Sequence, residues 1–180
     1  MTQLTATPSV DEISKKFRSA DLHDLCDATE AAIREGGGFG WLHVPDRDVL
    51  ERYWKGVLVV PERRLFVARL DGVICGSAQL IRPPRNNEAQ GHSAQITTTF
   101  IAPWARGHGL SKKLISVLLQ AAKADGLKTV NLDVRETQTA AIALYRSLGF
   151  AEFGRHPHYA EVGGKPVAGL FFTLDLDGGA

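Results

Sequence analysis

The stretch that decides the fold joins a predicted strand to a predicted helix and reads Pro103-Trp104-Ala105-Arg106-Gly107-His108-Gly109-Leu110-Ser111. A Thr-rich strand over 93–101 precedes it, and a helix with one apolar stripe over 109–125 follows it. The first N–H groups of a helix lack internal partners and carry partial positive charge, so this junction predicts an anion site. Glycine lets phosphate oxygens approach the backbone closely, and Arg106 adds a charged donor.

The spacing of these glycines excludes two common phosphate motifs. A P-loop requires G-x-x-x-x-G-K-[ST], which Gly107 and Gly109 do not supply. A dinucleotide fingerprint requires G-x-G-x-x-G, and Lys112 stands where its third glycine belongs. Taken alone, the segment leaves an ordinary strand-to-helix turn as the alternative.

Working outward, hydrophobic periodicity predicts the element order β-α-α-β-β-β-α-β-α-β-β. This order indicates a mixed α/β sheet of about seven strands with helices on both faces. A weak strand is predicted over 10–18, and the first helix begins near 19–21 and ends at 36–38. The remaining predictions are a helix from 45–46 to about 55, a hairpin of 65–70 and 73–81 joined at Asp71-Gly72, a strand over 129–135, a helix over 139–148, and strands over 151–156 and 167–174.

Length and composition favour one ordinary globular domain. The chain has 180 residues, of which 44% are hydrophobic and 23% charged, and we expect a domain over 9–176 with flexible tails at 1–8 and 177–180. The net charge of +1 gives no reason to expect nucleic acid or an anionic membrane as a partner. Because no signal peptide, apolar span or zinc-type Cys/His spacing is present, we expect a cytoplasmic protein without a metal.

Another distinctive run carries a family resemblance. It consists of Asp133-Val134-Arg135, then Thr139-Ala140-Ala141-Ile142-Ala143-Leu144-Tyr145, then Leu148-Gly149-Phe150. Together with the segment over 103–111, which precedes it, this run strongly resembles the GCN5-related N-acetyltransferase (GNAT) superfamily. The segment over 103–111 resembles that family's R/Q-x-x-G-x-G/A motif, and the run that ends at Phe150 resembles its A-x-x-L-Y-x-x-x-G-F helix. The resemblance implies a GNAT-like fold and an N-acetyltransferase that uses acetyl-CoA as the acetyl donor.

The resemblance also implies roles for particular residues. The backbone of Phe100 and Ile101 would pair with the pantetheine arm, and Tyr145 would lie beside the CoA sulfur and donate to it. The pyrophosphate would be held by Arg106, Gly107, His108, Gly109, Leu110 and Ser111.

The sequence departs from the family pattern at three places. Ser111 replaces the usual Gly or Ala, and Gln138 stands where Asn is common. The strand over 93–101 carries no carboxylate, although many family members place a catalytic Glu there.

An alkylamine has a pKa near 10.4 and arrives mostly protonated, so acetyl transfer needs a proton acceptor. Asp133 is the first candidate, because some family members use a carboxylate at this place, before the tyrosine. Glu88 and His92 are alternatives, and water acting without a dedicated base is another.

Aromatic residues beside the glycine run at 36–38 are candidates for the amine pocket. Phe39 and Trp41 are predicted to line the acceptor site, with packing onto the sheet as the alternative, and for Trp54 packing is favoured. We expect a primary amine of a small molecule or peptide as the substrate, and its nitrogen would attack the acetyl-CoA thioester directly, through a tetrahedral intermediate. A non-catalytic acyl-CoA-binding regulatory module on the same fold is the alternative, and a homodimer is left open.

Overall fold

The computed structural model describes residues 6–18, 20–37 and 40–178. Within these ranges the chain forms one sheet, four α-helices and two short 3-10 turns. The strands are β1 (Pro8–Ile13), β2 (Arg63–Leu70), β3 (Val73–Ile81), β4 (Ser93–Ile101), β5 (Thr129–Arg135), β6 (Ala151–Val162) and β7 (Lys165–Asp175). The helices are α1 (Asp21–Arg34), α2 (Arg47–Val59), α3 (Leu110–Ala124) and α4 (Thr139–Ser147), and the 3-10 turns are Glu88–Gln90 and Pro103–Ala105.

The seven strands lie in the order β1-β2-β3-β4-β5-β7-β6. Only β4 and β5 pair in parallel among these strands, and every other pair is antiparallel. The predicted mixed sheet and the predicted order of elements are confirmed. The predicted bounds of β3, β4 and β5 agree with the structure to the residue.

The predicted bounds differ most from the structure in three elements. β1 ends at Ile13 and not at residue 18, α2 continues beyond residue 55 to Val59, and β6 runs to Val162. The α2 error has a packing cause, because Val57 is buried in the core and so keeps a β-branched segment helical against its propensity. The β6 extension pairs with β7 across the hairpin turn at Gly163-Gly164, and its residues are mostly exposed and show no alternation.

The turn between β2 and β3 has the conformation that its sequence predicts. Asp71 and Gly72 have φ angles of 52° and 85°, in the left-handed region that a tight two-residue hairpin turn requires. The predicted hairpin at Asp71-Gly72 is therefore confirmed.

Two apolar layers cover the two faces of the sheet. One layer contains the buried side of α3 and α4, and the other contains α1 and α2. In the layer of α1 and α2, Trp54 is fully buried, and its indole N–H donates to Thr29 Oγ1 at 3.1 Å. The expected packing role of Trp54 is therefore what the structure shows.

A gap in the sheet positions the site. β4 and β5 pair only over Ser93–Gln95 and Thr129–Asn131, so beyond Gln95 the described residues give the β5-side edge of β4 no strand partner. A register shift in the β3–β4 ladder coincides with Thr98, whose φ of 51° is left-handed and marks a β-bulge. The two halves of the sheet thus separate and open a cleft between β4 and β5.

Candidate active site

Two adjoining cavities occupy this cleft. The cradle cavity, of about 540 Å³, lies beside the turn before α3. The aromatic cavity, of about 710 Å³, lies on the other side and is lined by Trp41, Tyr53 and Tyr159 among others. Both cavities are lined by the same four residues at their junction, namely Thr99, Gln138, Ala141 and Tyr145. A molecule in one cavity can therefore meet a molecule in the other at this junction.

The turn before α3 has the shape of an anion cradle. Gly107 and Gly109 have φ angles of 82° and 70°, and Gly109 is the residue that precedes α3. A side chain at either glycine would meet no other atom within 4 Å, so backbone conformation and not space requires glycine there. The turn brings the N-terminus of α3 to the cavity wall, where its free N–H groups favour an anion.

Most of the residues predicted to bind the cofactor line the cradle cavity. They are Phe100, Ile101, Arg106, Gly107, Gly109, Leu110 and Ser111. His108 does not line this cavity. Its ring is exposed, and its Nδ1 lies 3.1 Å from the carbonyl oxygen of Ala105 and 3.0 Å from that of Arg106. Since carbonyl oxygens only accept, Nδ1 carries the proton and stabilises the turn.

Arg106 forms an ion pair with Glu35, which follows α1 directly. Both side chains are about half exposed, so solvent screens the pair and its contribution to stability is small. The guanidinium therefore stands at the rim of the cradle cavity with a weakly held carboxylate beside it.

The connection between α1 and α2 is attached to the far side of the cleft. Arg135 Nη2 donates to the Gly37 carbonyl at 2.6 Å, and Gln138 Nε2 donates to the Gly36 carbonyl at 3.0 Å. Gln138, which stands where Asn is common in the family, thus binds the connection between α1 and α2. No local pattern pointed to this use, because the partners are far apart in sequence.

Tyr145 lies at the junction of the two cavities and is 5% exposed. Burial raises the pKa of its hydroxyl, the Asp133 carboxylate adds to this effect, and the Thr99 side chain opposes it. The hydroxyl therefore stays protonated at neutral pH and can donate a hydrogen bond.

Asp133 lines the aromatic cavity and accepts two side-chain hydrogen bonds. Gln95 Nε2 donates to Oδ1 at 2.7 Å, and the Tyr159 hydroxyl donates to Oδ2. Sequence reasoning missed both partners, since Gln95 and Tyr159 come from other strands. By contrast, Glu88 and His92, the alternative bases, line neither cavity.

Aromatic rings form one wall of the aromatic cavity. Trp41 lies edge-on to Tyr53 with ring centroids 5.0 Å apart, and Gln79 Nε2 donates to the Tyr53 hydroxyl at 3.0 Å. Trp41 lines this cavity and also packs against Tyr53, and its role at the acceptor site stays a prediction. Phe39, the other residue predicted for this pocket, lies outside the described residues.

Neither a metal-binding cluster nor a membrane-spanning helix occurs in the residues that the structure describes. These ranges contain no group of three or more His, Cys, Asp or Glu side chains arranged to hold a metal ion. None of the helices described is long and apolar enough to cross a membrane.

Comparison with solved structures identifies the same architecture in known acetyltransferases. A ribosomal-protein-alanine N-acetyltransferase from Brucella melitensis superposes with a TM-score of 0.77 at 22% identity, covering 93% of this chain and 99% of that one. A phosphinothricin acetyltransferase from Sinorhizobium meliloti, solved with acetyl-CoA, also gives 0.77 at 20% identity, with 94% and 88% covered. At such identities the likeness shows the fold.

Comparison of sequences shows the family. The model of the Acetyltransferase (GNAT) family matches residues 23–150. An uncharacterized N-acetyltransferase from the hisH-hisA intergenic region of Azospirillum brasilense is 63% identical over 122 residues, which are 68% of this chain and 73% of that protein. The N-alpha-acetyltransferase RimI of Mycobacterium tuberculosis is 30% identical over 122 residues, or 68% and 71%. The chain therefore belongs to the acetyltransferase (GNAT) family, and it is an N-acetyltransferase.

Proposed function

We propose that this protein transfers an acetyl group from acetyl-CoA to a primary amine of a small molecule or a peptide. The observation that carries the proposal is the position of Tyr145, a buried and protonated tyrosine at the only junction described between the cradle and aromatic cavities. The donor occupies the cradle cavity, the acceptor amine occupies the aromatic cavity, and the reacting atoms meet beside the tyrosine hydroxyl.

The cradle cavity suits the donor in its shape and in its chemistry. The glycine turn and the N-terminus of α3 offer backbone N–H groups to a pyrophosphate, and Arg106 exchanges its exposed carboxylate partner for it. Beyond Gln95, β4 no longer pairs with β5, and Phe100 and Ile101 line the cradle cavity, where an extended pantetheine arm would run along the strand.

The chemistry needs one proton acceptor and one hydrogen-bond donor. The amine nitrogen attacks the thioester carbonyl carbon, a carbon–nitrogen bond forms in a tetrahedral intermediate, and the carbon–sulfur bond then breaks. Asp133 takes the proton that the amine releases, and Tyr145 donates to the departing sulfur. Their shared cavity and the effect of Asp133 on the Tyr145 pKa support these roles.

A panel of acceptors tests the proposal directly. Acetyl-CoA and the purified protein would be mixed with alkylamines, aromatic amines such as tyramine, free amino acids and short peptides with free N-termini. Release of free CoA thiol gives the rate, and mass spectrometry of the product shows the added acetyl group. We expect at least one class to be acetylated.

The matched variant for the panel is Tyr145→Phe. It removes the donor while keeping the ring that packs 5.7 Å from Phe150, and we expect kcat to fall by about a hundredfold with an unchanged fold. Binding of acetyl-CoA without transfer to any acceptor would instead support the non-catalytic module. A Tyr145→Phe variant with the wild-type kcat would show that the Tyr145 hydroxyl does not take part in the reaction.

A further inference from the structure

We propose that Tyr159 is a positioning residue for acetyl transfer, which holds the Asp133 carboxylate in place from across β7, and that Gly169 provides the gap through which it does so. The inference rests on the proposed function, since it concerns the base of that reaction. It adds one side chain and one backbone position that neither the family motifs nor the helix of Tyr145 contains.

The first observation is the route that the Tyr159 side chain takes. Asp133 belongs to β5 and Tyr159 to β6, and β7 lies between these two strands in the sheet. The Tyr159 side chain therefore crosses β7, and its hydroxyl donates to Asp133 Oδ2. Its ring is fixed edge-on to Phe171 of β7, with centroids 5.9 Å apart and an interplanar angle of 87°.

Gly169 of β7 is the second observation. A Cβ atom added there would lie 2.7 Å from Tyr159 Cβ and closer still to atoms of the ring. Gly169 does not have a positive φ angle, so its backbone conformation does not require glycine. Space for the crossing ring does, which ties the identity of residue 169 to the position of Tyr159.

The third observation is that Asp133 is held from both sides. Gln95 of β4 donates to one carboxylate oxygen and Tyr159 to the other. A carboxylate has about four acceptor sites, so two directed donors fix its plane and leave the remaining sites for the cavity. A base fixed in this way does not have to find its orientation when the amine binds, and such orientation accounts for much of enzymatic rate.

Charged and titratable side chains surround Asp133 in the aromatic cavity. Arg135 of β5, Glu161 of β6 and Tyr145 of α4 line the same cavity. Burial and then the Asp133 carboxylate raise the pKa of the Tyr159 hydroxyl, so Tyr159 keeps its proton and acts as a donor. The amine proton would go to Asp133, and Tyr159 would neither gain nor lose one.

The test is a set of kinetic measurements with the fastest acceptor found in the panel described above. We expect Tyr159→Phe to lower kcat/KM for the amine by about tenfold, the effect of losing one hydrogen bond to a charged group. The KM for acetyl-CoA should not change, because Tyr159 does not line the cradle cavity. In an Asp133→Asn background, Tyr159→Phe should cause little further loss, since the residue acts through Asp133.

Steric variants test the gap independently. Gly169→Ala should lower the same kcat/KM at least as far as Tyr159→Phe, because the added methyl group displaces the ring. The double variant Gly169→Ala/Tyr159→Ala should lower kcat/KM no further than Tyr159→Ala alone. Phe153→Leu is the control, because Phe153 lies on the same strand and near Phe171 but is 63% exposed and lines neither cavity.

The outcomes separate the two proposals. An active wild type with an equally active Tyr159→Phe variant overturns the positioning role and leaves the proposed function intact. Equal losses in the presence and absence of the Asp133 carboxylate also overturn it, because Tyr159 would then act on its own. A wild type that acetylates no amine in the panel overturns both. Thermal unfolding of each variant shows whether a loss of activity is a loss of fold.

Discussion

Asp21 shows how much one buried side chain contributes to this fold. It is 4% exposed, and its Oδ1 accepts a hydrogen bond from Arg69 Nη1 at 2.8 Å. Arg69 also bonds Asp11 through Nε at 2.8 Å, so one guanidinium joins β1, the start of α1 and the β2–β3 hairpin. A buried charge that loses its partner is costly, whereas a half-exposed one is not.

We therefore predict that Asp21→Asn destabilises the protein by about 3 kcal/mol, because Arg69 stays buried with one of its two carboxylate partners removed. The half-exposed Asp11 is the matched control, and Asp11→Asn should cost under ~1 kcal/mol. Urea titrations followed by circular dichroism measure both. Equal effects would show that burial does not distinguish the two carboxylates.

Asp21 contributes to the dependence of the unfolding free energy on pH, and the direction of its pKa shift gives the sign of that contribution. Burial alone would raise its pKa, but the hydrogen bond and charge of Arg69, with the Arg18 backbone, outweigh burial and lower it. A carboxylate with a lowered folded pKa stabilises fully above its unfolded value of about 3.9 and loses that contribution as pH falls below it. The free energy of unfolding of wild type should thus fall more steeply below about pH 4 than that of Asp21→Asn.

At the residue scale, the sequence predicted the cradle and the tyrosine but not their surroundings. The turn glycines were predicted from local spacing along one segment, and Tyr145 was predicted from the resemblance to the GNAT superfamily, because periodicity alone would favour a core aromatic there. Gln95, Tyr159 and Glu35 could not be predicted, because each acts on a partner in a distant segment. Pairing of that kind depends on strand register and on the packing of distant segments, and no short pattern shows it.

Gly76 lies where β3 and β4 approach each other closely. It lies on β3 opposite Ile101 of β4, and a Cβ there would be 2.6 Å from Ile101 Cδ1 and closer to the Phe100 carbonyl oxygen. The β3–β4 ladder can therefore close only over a residue without a side chain. The strand edge that faces the cradle cavity depends on this contact for its position.

We predict that Gly76→Ala destabilises the protein by about 2 kcal/mol and weakens acetyl-CoA binding, because β4 must move away from β3. Gly56→Ala is the matched control within α2, where an added Cβ meets nothing within 4 Å. Since alanine favours a helix over glycine, that variant should gain about 0.5–1 kcal/mol. Thermal melts and calorimetric titration with acetyl-CoA measure both, and a neutral Gly76→Ala would refute the close approach.

The bounds of β5 were predicted to the residue, and the outer bound of β6 was not. β5 alternates Val130, Leu132 and Val134 with polar residues, so its bounds follow from its pattern. The outer half of β6 contains Pro157 and exposed polar residues, and only its pairing with β7 makes it a strand.

The cleft is a property of the whole sheet and appears in no single segment. It exists because β4 and β5 pair over three residues each and then separate. The sequence predicted both strands but not their divergence, since a bulge at Thr98 and the packing on each face decide it. Whether two copies of the chain associate stays a prediction.

A ligand that joins the two halves of the sheet should stabilise the whole molecule. We predict that acetyl-CoA at a hundred times its Kd adds about 2.7 kcal/mol, which corresponds to a rise in Tm of about 5–10 °C for a domain of this size. Differential scanning fluorimetry over a range of acetyl-CoA concentrations measures the rise.

The control for this measurement removes one cradle contact. Arg106→Ala should need a higher acetyl-CoA concentration for the same rise in Tm, whereas Arg52→Ala, on the exposed side of α2 beside Asp48, should behave as wild type. A wild-type Tm that does not respond to acetyl-CoA would refute the assignment of the cradle cavity to the donor.

The place of β7 has a consequence for how the protein is made. β7 follows both β5 and β6 along the chain, yet it lies between them in the sheet. When the ribosome has released β5 and β6, neither has its antiparallel neighbour, and Asp133, Gly169 and Tyr159 cannot meet until β7 has emerged. The nascent chain can complete the β1–β4 half by sequential pairing, but the contact of Tyr159 with Asp133 forms only after β7 has left the ribosome.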